Sequence, residues 1–222
     1  MPRTVALQIE AVRAELESRP PALVRHIERV VAEAAALAAF WDVDPERCAL
    51  AAWGHDLFRA HSPTEQLKLA REVGVPASEA DEASPVLLHG PIAAVVLRQR
   101  FAVTDEDALA AVRDHTVGAA EMPIISRIIL LADKFEPRKR ARTPLMKEIR
   151  KLARRDIDLA LLCWADWKWV EEAEHGWRSH PRHWEARRVW VKEHHAMLLP
   201  SATAAEAATS DEGTAESAGE SR

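Results

Sequence analysis

The segment from Pro123 to Asp133 constrains this chain most. Ile124, Ile125, Ile128, Ile129, Leu130, Leu131 and Ala132 would cover nearly every face of a helix drawn over it. Such a helix has to be enclosed by other elements, so it predicts the most buried helix of a multi-helix domain. Asp133 closes the run, and a carboxylate beside so apolar a stretch requires a partner.

The elements that enclose it are legible from periodicity and caps. Val5 to Leu16 reads as a short amphipathic helix, ended by Pro20 and Pro21. A second runs from about Ala22 to Phe40, with Leu23, Ile27, Val30, Ala34 and Leu37 on one stripe. Asp44-Pro45 begins a third, which runs into His55-Asp56. Ser62-Pro63-Thr64-Glu65 is a capping-box pattern for a helix that Gly74 stops. A polar connector then leads to His89, just before a helix starting near Pro91. Thr104 and Asp105 can cap the next helix, which ends at Asp114-His115-Thr116. After Asp133 the reading is a basic connector, Arg138 to Arg142, and then one helix from about Pro144 to Cys163.

With only 7 Gly and abundant Ala, Leu, Glu and Arg, the composition favours an all-α protein. The organisation expected is an N-terminal helix (1–21), a central helical domain (22–143), a C-terminal helical extension (144–199) and a disordered acidic tail (200–222). The formal charge of −5 shrinks to −1 once the −4 of that tail is set aside, so no global field attracts nucleic acid. Cys48 and Cys163 fall in apolar runs and read as small buried hydrophobes rather than a disulfide. The longest apolar runs fall short of the roughly 18 residues of a membrane span, and no signal core opens the chain. A cytoplasmic protein with no membrane partner is the expectation.

Chemistry enters through side chains at helix ends or early turns: His26, His55, Asp56, His89, His115 and Asp133. Each histidine taken singly could be a capping or surface residue. As an ordered set drawn from five helices, they describe a pocket assembled by the fold rather than a local zinc-finger loop. Imidazoles and carboxylates without cysteine suit Fe, Mn, Co or Zn with open positions for water. A carboxylate next to a histidine can bridge two ions, so the set leaves room for a dinuclear centre that activates water and clamps phosphate oxygens.

The order H…HD…H…H…D resembles the HD-domain metal-dependent phosphohydrolases. Local detail narrows the resemblance: Arg25-His26, Leu87-Leu88-His89-Gly90-Pro91, Asp114-His115-Thr116-Val117-Gly118 and Leu131-Ala132-Asp133-Lys134-Phe135-Glu136-Pro137. Over roughly Leu23 to Glu136, the chain looks like the YqeK-type family, symmetrical diadenosine tetraphosphate hydrolases that release two ADP. That resemblance implies an HD-domain helical bundle holding a di-metal centre, iron first and Mn, Co or Zn as alternatives. The six residues would be its ligands, with Asp56 the bridge. It implies attack by a metal-activated water, with Asp56 and Arg59 in the catalytic machinery. Arg59, Thr116, Lys134 and Arg138 would contact the nucleotide substrate. Arg59 stands where the family usually has a lysine; it keeps the charge and adds a planar donor fork. Val117 stands where a second Thr is usual, and Arg138-Lys139-Arg140 where Gly-Arg is common.

The C-terminal extension differs in kind. Trp164, Trp167, Trp169, Trp177, Trp184 and Trp190 are six of the 8 tryptophans, interleaved with Arg178, Arg182, Arg187, Arg188 and Lys192. Aromatic and basic side chains together can stack bases. Packing on the body or in a homodimer interface is the favoured reading, because Asp166, Glu171, Glu172 and Glu174 would repel a nucleic-acid backbone. His180-Pro181-Arg182-His183 lacks carboxylate support at useful spacing and reads as incidental. Two alternatives stand beside the first reading: an HD phosphohydrolase of another nucleotide, and a non-catalytic nucleotide- or RNA-binding protein on the same scaffold.

Overall fold

The structure, a computed structural model, describes residues 4–198, with side chains up to His194; the expected acidic tail at 200–222 lies outside the described residues. Twelve helices and no strand occur among them. They are α1 (Val5–Leu16), α2 (Pro21–Phe40), α3 (Pro45–Gly54), α4 (Pro63–Val73), α5 (Glu79–Ala83), α6 (His89–Phe101), α7 (Glu106–Asp114), α8 (Ile124–Phe135), α9 (Pro137–Arg142), α10 (Leu145–Leu152), α11 (Ile157–His175) and α12 (Pro181–Leu198).

Helix α8 is the centre of the bundle. Ile125, Ile128, Ile129, Leu130, Leu131 and Ala132 have no exposed surface, and the helix packs against α2, α7, α3, α10 and α11. Each buried Ile or Leu contributes roughly 1.5–3 kcal/mol relative to exposure. Asp133 is thereby carried on the most constrained element of the molecule.

The expected caps hold α3, α4 and α7 in place. Asp44 accepts a hydrogen bond from the Glu46 amide at 2.9 Å. Ser62 and Glu65 form a reciprocal capping box, and Gly74 ends α4 at φ 78°. Asp105, rather than Thr104, caps α7, accepting from the amides of Asp107 and Ala108.

Local chemistry sets four departures from expectation. The polar connector contains α5, because Ser78 and Asp81 make a second capping box. Helix α6 starts at His89, with Pro91 accommodated in its first turn, where the missing amide costs nothing. The basic connector is helical: the Glu136 carboxylate accepts from the amides of Arg138 and Lys139, and Pro137 occupies the first position. The single helix expected from Pro144 to Cys163 is broken after Leu152. There the Leu152 carbonyl accepts from Arg155 and Asp156, and Asp156, in extended conformation, caps α11.

Buried polar bonds tie the extension to the bundle. Glu33 on α2 receives Arg140 at 3.1 Å and Arg150 at 2.7 Å, and the Trp41 indole donates to the Ala153 carbonyl. Helix α12 seats Trp190 over Gly118, whose φ of 76° suits glycine and whose missing Cβ would lie 2.7 Å from that indole. Packing therefore accounts for Trp164 and Trp190, which are buried, but not for Trp169, Trp177 and Trp184, which are exposed. Cys48 is buried and Cys163 half-buried, both as free thiols. No helix among the described residues is long and apolar enough to cross a membrane.

Candidate metal centre

Five helices deliver the six expected ligands to one spot. His26 lies in the second turn of α2, His55 and Asp56 directly follow α3, His89 opens α6, His115 follows α7, and Asp133 lies near the end of α8. Asp56 is the hub. Its Oδ1 lies 3.0 Å from His89 Nε2 and 3.5 Å from His115 Nε2. Its Oδ2 lies 3.4 Å from His26 Nε2 and 3.6 Å from His55 Nε2. Asp133 joins the second pair, with Oδ1 3.1 Å from His26 Nε2 and 4.0 Å from His55 Nε2. Two donor triads capable of holding an ion result, His26-His55-Asp56 and Asp56-His89-His115.

Tautomers are set by the backbone. The Nδ1–H groups of His55 and His115 donate to the carbonyls three residues earlier, Ala52 at 2.7 Å and Val112 at 2.8 Å, and His89 donates to Val86 in the same way. A carbonyl only accepts, so each Nδ1 carries the proton and each Nε2 presents a lone pair. His89 Nε2 and His115 Nε2 nevertheless lie only 3.0 Å apart beside the Asp56 carboxylate. His55 Nε2 is buried with no hydrogen-bond partner among the described residues. Imidazole lone pairs pressed together beside a carboxylate, and a buried Nε2 without a partner, are what a cation site requires, and these residues fit one.

Protonation supports the fit. Burial pulls His55 down to about 4, against the opposing charge of Asp56, and burial also lowers His115, so both are neutral ligands at pH 7. Burial pushes Asp56 up, but the imidazoles of His55, His115, His26 and His89 crowded around its two oxygens hold it well below the usual carboxylate range. For Asp133, burial is outweighed by Lys134, Lys139 and His26. His26 differs: burial lowers it, yet its bonds to Asp133 and Asp56 hold it at about 9.

Gly90 permits the close approach of α6 and α7. A Cβ there would lie 2.8 Å from the Val112 carbonyl oxygen, 3.0 Å from that of Arg113 and 3.2 Å from His115 Cε1. No flexible side chain could yield, so only glycine lets His89 and His115 meet.

A cavity of about 390 Å3 adjoins the ligands. Thr116 and Lys134, two of the expected substrate contacts, line it. The Thr116 hydroxyl lies 3.1 Å from His115 Nε2, and Lys134 Nζ lies 2.7 Å from Asp133 Oδ2. Arg59 and Arg138 do not line it; both are exposed, and neither side chain makes a hydrogen bond or ion pair among the described residues. Lys139, not singled out from the sequence, lines the cavity and places Nζ 2.5 Å from Asp133 Oδ1. Its signal was the Glu136-Pro137 helix start, which turns Lys139 back over Asp133. Glu136 was also missed; it is buried, pairs with Arg29 at 2.6 Å and places its charge 3.9 Å from His26 Nδ1. The His180–His183 segment is not incidental: both histidines are buried, His180 reaches Asp81 at 3.3 Å, and His183 donates to the Val117 carbonyl at 3.1 Å.

Residues 23–138 match the HD domain family. Among curated proteins, the chain is 35% identical over 139 residues to a symmetrical bis(5'-nucleosyl)-tetraphosphatase of Bacillus subtilis, covering 62% of this chain and 72% of that protein. It is 28% identical over 144 residues to the protein of the same name from Staphylococcus aureus, covering 65% and 73%. Among solved structures, it resembles a predicted HD superfamily hydrolase involved in NAD metabolism from Clostridium acetobutylicum. The TM-score is 0.78 and the identity 25%, over 83% of this chain and 97% of the other.

Proposed function

Because the chain belongs to the HD-domain hydrolases, and within them to the family of the symmetrical bis(5'-nucleosyl)-tetraphosphatases, we propose that it cleaves diadenosine tetraphosphate symmetrically into two ADP. The observation that carries the reading is the division of Asp56 between two histidine pairs, one on each carboxylate oxygen. His26, His55, His89, His115, Asp56 and Asp133 would hold two divalent cations; the donor set suits Fe, Mn, Co or Zn, and the family resemblance puts iron first. Bound there, such cations would supply a water activated near neutral pH and Lewis acidity toward phosphate oxygens.

The chain's own groups do the rest. His26, His55, His89 and His115 hold their Nε2 atoms toward the centre, while Asp56 and Asp133 supply its negative charge. Lys134 and Lys139 turn from Asp133 toward the non-bridging oxygens of the polyphosphate, where their charge offsets that of the transition state. The Thr116 hydroxyl donates to a phosphate oxygen beside His115. Arg59 and Arg138, close in sequence to Asp56 and Asp133 and without ion pairs among the described residues, add charge for the phosphates farther from the attacked atom. Attack of water on one of the two central phosphorus atoms, with cleavage of that atom's bond to the oxygen bridging them, would release each half as ADP.

The test is product analysis. Protein loaded with Mn or Fe(II) is expected to convert diadenosine tetraphosphate to ADP alone; AMP plus ATP would overturn the symmetrical reading. Asp56→Ala is expected to lose both metal and turnover, and retention of both would remove the site from the reaction.

A further inference from the structure

The cavity beside the His/Asp cluster is lined by both cationic and aromatic groups. Next to the ligands lie the Lys134 and Lys139 ammonium groups and the Thr116 hydroxyl, bonded to Asp133 or His115. The rest of the lining includes three tryptophans from the C-terminal extension, Trp164, Trp167 and Trp177. Lys168 also lines it, its charge met by Glu171 at 2.7 Å and Glu172 at 3.8 Å, as does Arg178.

Trp177 is the distinctive member. At 55% exposure it leaves much of a large aromatic surface in water, a cost without a packing return. Yet it is held in position. Gly176 ends α11 at φ 66°, and the Trp177 amide bonds the Glu172 carbonyl at 2.8 Å, which closes the turn. The His175 ring stacks on the indole at 4.5 Å, and the Lys168 ammonium lies 5.2 Å from its centre. An exposed indole fixed by a cap, a stack and a cation is preorganised to receive a planar ligand. At about 390 Å3 the cavity is on the scale of one nucleotide half, and its lining sets cations against indoles, with Lys134 Nζ 5.6 Å from the Trp164 ring.

Building on the hydrolase reading, we infer that the C-terminal extension carries the nucleobase platform of the site, with Trp177 stacking one base of the substrate. The extension then sets base affinity while the helical body performs the chemistry. Stacking reads a π-face rather than hydrogen-bonding groups, so the platform favours purines over smaller pyrimidines and separates adenine from guanine only weakly.

Equilibrium binding to the full, Mn-loaded chain tests this apart from turnover. The probes are ADP and methylenediphosphonate, a diphosphate without a base. The wild type is expected to bind ADP more tightly than methylenediphosphonate. Trp177→Ala, at an exposed position, is expected to weaken ADP by on the order of tenfold. It should leave methylenediphosphonate unchanged, and Trp177→Phe should restore most of the loss. Unchanged ADP affinity in Trp177→Ala, an equal loss for both probes, or no preference for ADP in the wild type would each overturn the platform. A wild type that passes the binding test but does not hydrolyse diadenosine tetraphosphate would instead sink the hydrolase reading alone.

Discussion

Lys139 Nζ lies 2.5 Å from Asp133 Oδ1, the same carboxylate oxygen that faces His26. A lysine from α9 thus neutralises a buried carboxylate of α8 and at the same time borders the cavity. Lys139→Ala is expected to lower kcat/KM for a dinucleoside tetraphosphate by on the order of a hundredfold while leaving metal stoichiometry intact. Arg138→Ala, whose side chain is exposed and outside the cavity lining, should cost under about tenfold. Steady-state kinetics with elemental analysis of both variants checks the ranking, and equal effects would contradict it.

Gly90→Ala tests the approach of α6 to α7. The added methyl meets two backbone carbonyls and the His115 ring, so the helices must separate. The expected cost is about 1–3 kcal/mol of stability together with loss of metal, because His89 and His115 move apart. Thermal unfolding and metal content should fall in the same variant, whereas a normal metal load would show that the helices tolerate the spacing.

The seating of α12 depends on Asp114, which is 1% exposed and receives Arg113 at 2.6 Å and Arg182 at 2.5 Å. Asp114→Asn is expected to destabilise the protein by roughly 1–3 kcal/mol, since two guanidinium groups lose a charged acceptor. Arg182→Ala should cost less, its guanidinium being partly in water. A double-mutant cycle should return a coupling of about 1 kcal/mol, and strict additivity would mean the pair does not hold α12 down.

A pH dependence follows from Asp105. Its hydrogen bonds with Arg47, followed by those from the Ala108 and Asp107 amides, hold its carboxyl below the usual range against the effect of burial. A depressed folded value means that its contribution is fully present above the unfolded value, about 4, and is lost as pH falls through the folded value. Asp105→Asn keeps a capping side chain but loses the charged partner of Arg47, so it should be less stable than the wild type at pH 7 by up to about 1 kcal/mol. The gap should narrow at pH 3; a gap unchanged by acid would assign the effect to something other than the carboxylate.

The convergence of the six side chains was legible because each stands at or near the end of an amphipathic segment, where the backbone can turn a side chain inward. His55, His89 and His115 share a local device, a carbonyl three residues back, that sequence alone specifies once the helices are placed. Lys139 was hidden because a run of basic residues reads as solvated chain until Glu136 is recognised as a cap. The break at Leu152 escaped for a related reason: Asp156 is a cap in a stretch whose apolar periodicity carries on across it. The cavity was not legible. Trp167 and Trp177 come close to Lys134 only through the return of α11 across the bundle, and no spacing in the sequence encodes that path. Arg59 drew attention from the family's pattern rather than from its surroundings, and the structure gives it no contact with the cluster.

The dispersal of the ligands over five helices has a consequence for the protein's survival. Asp56 belongs to both donor triads, so ions held there would fasten α2 and α3 to α6 and α7, segments remote along the chain, and would dissociate when these come apart. Ion concentration then enters the folding equilibrium directly, worth about 2.7 kcal/mol when free metal exceeds its dissociation constant a hundredfold. Metal starvation would shorten the lifetime of the molecule as well as silence it, and supply of the ion would govern how much of the protein persists.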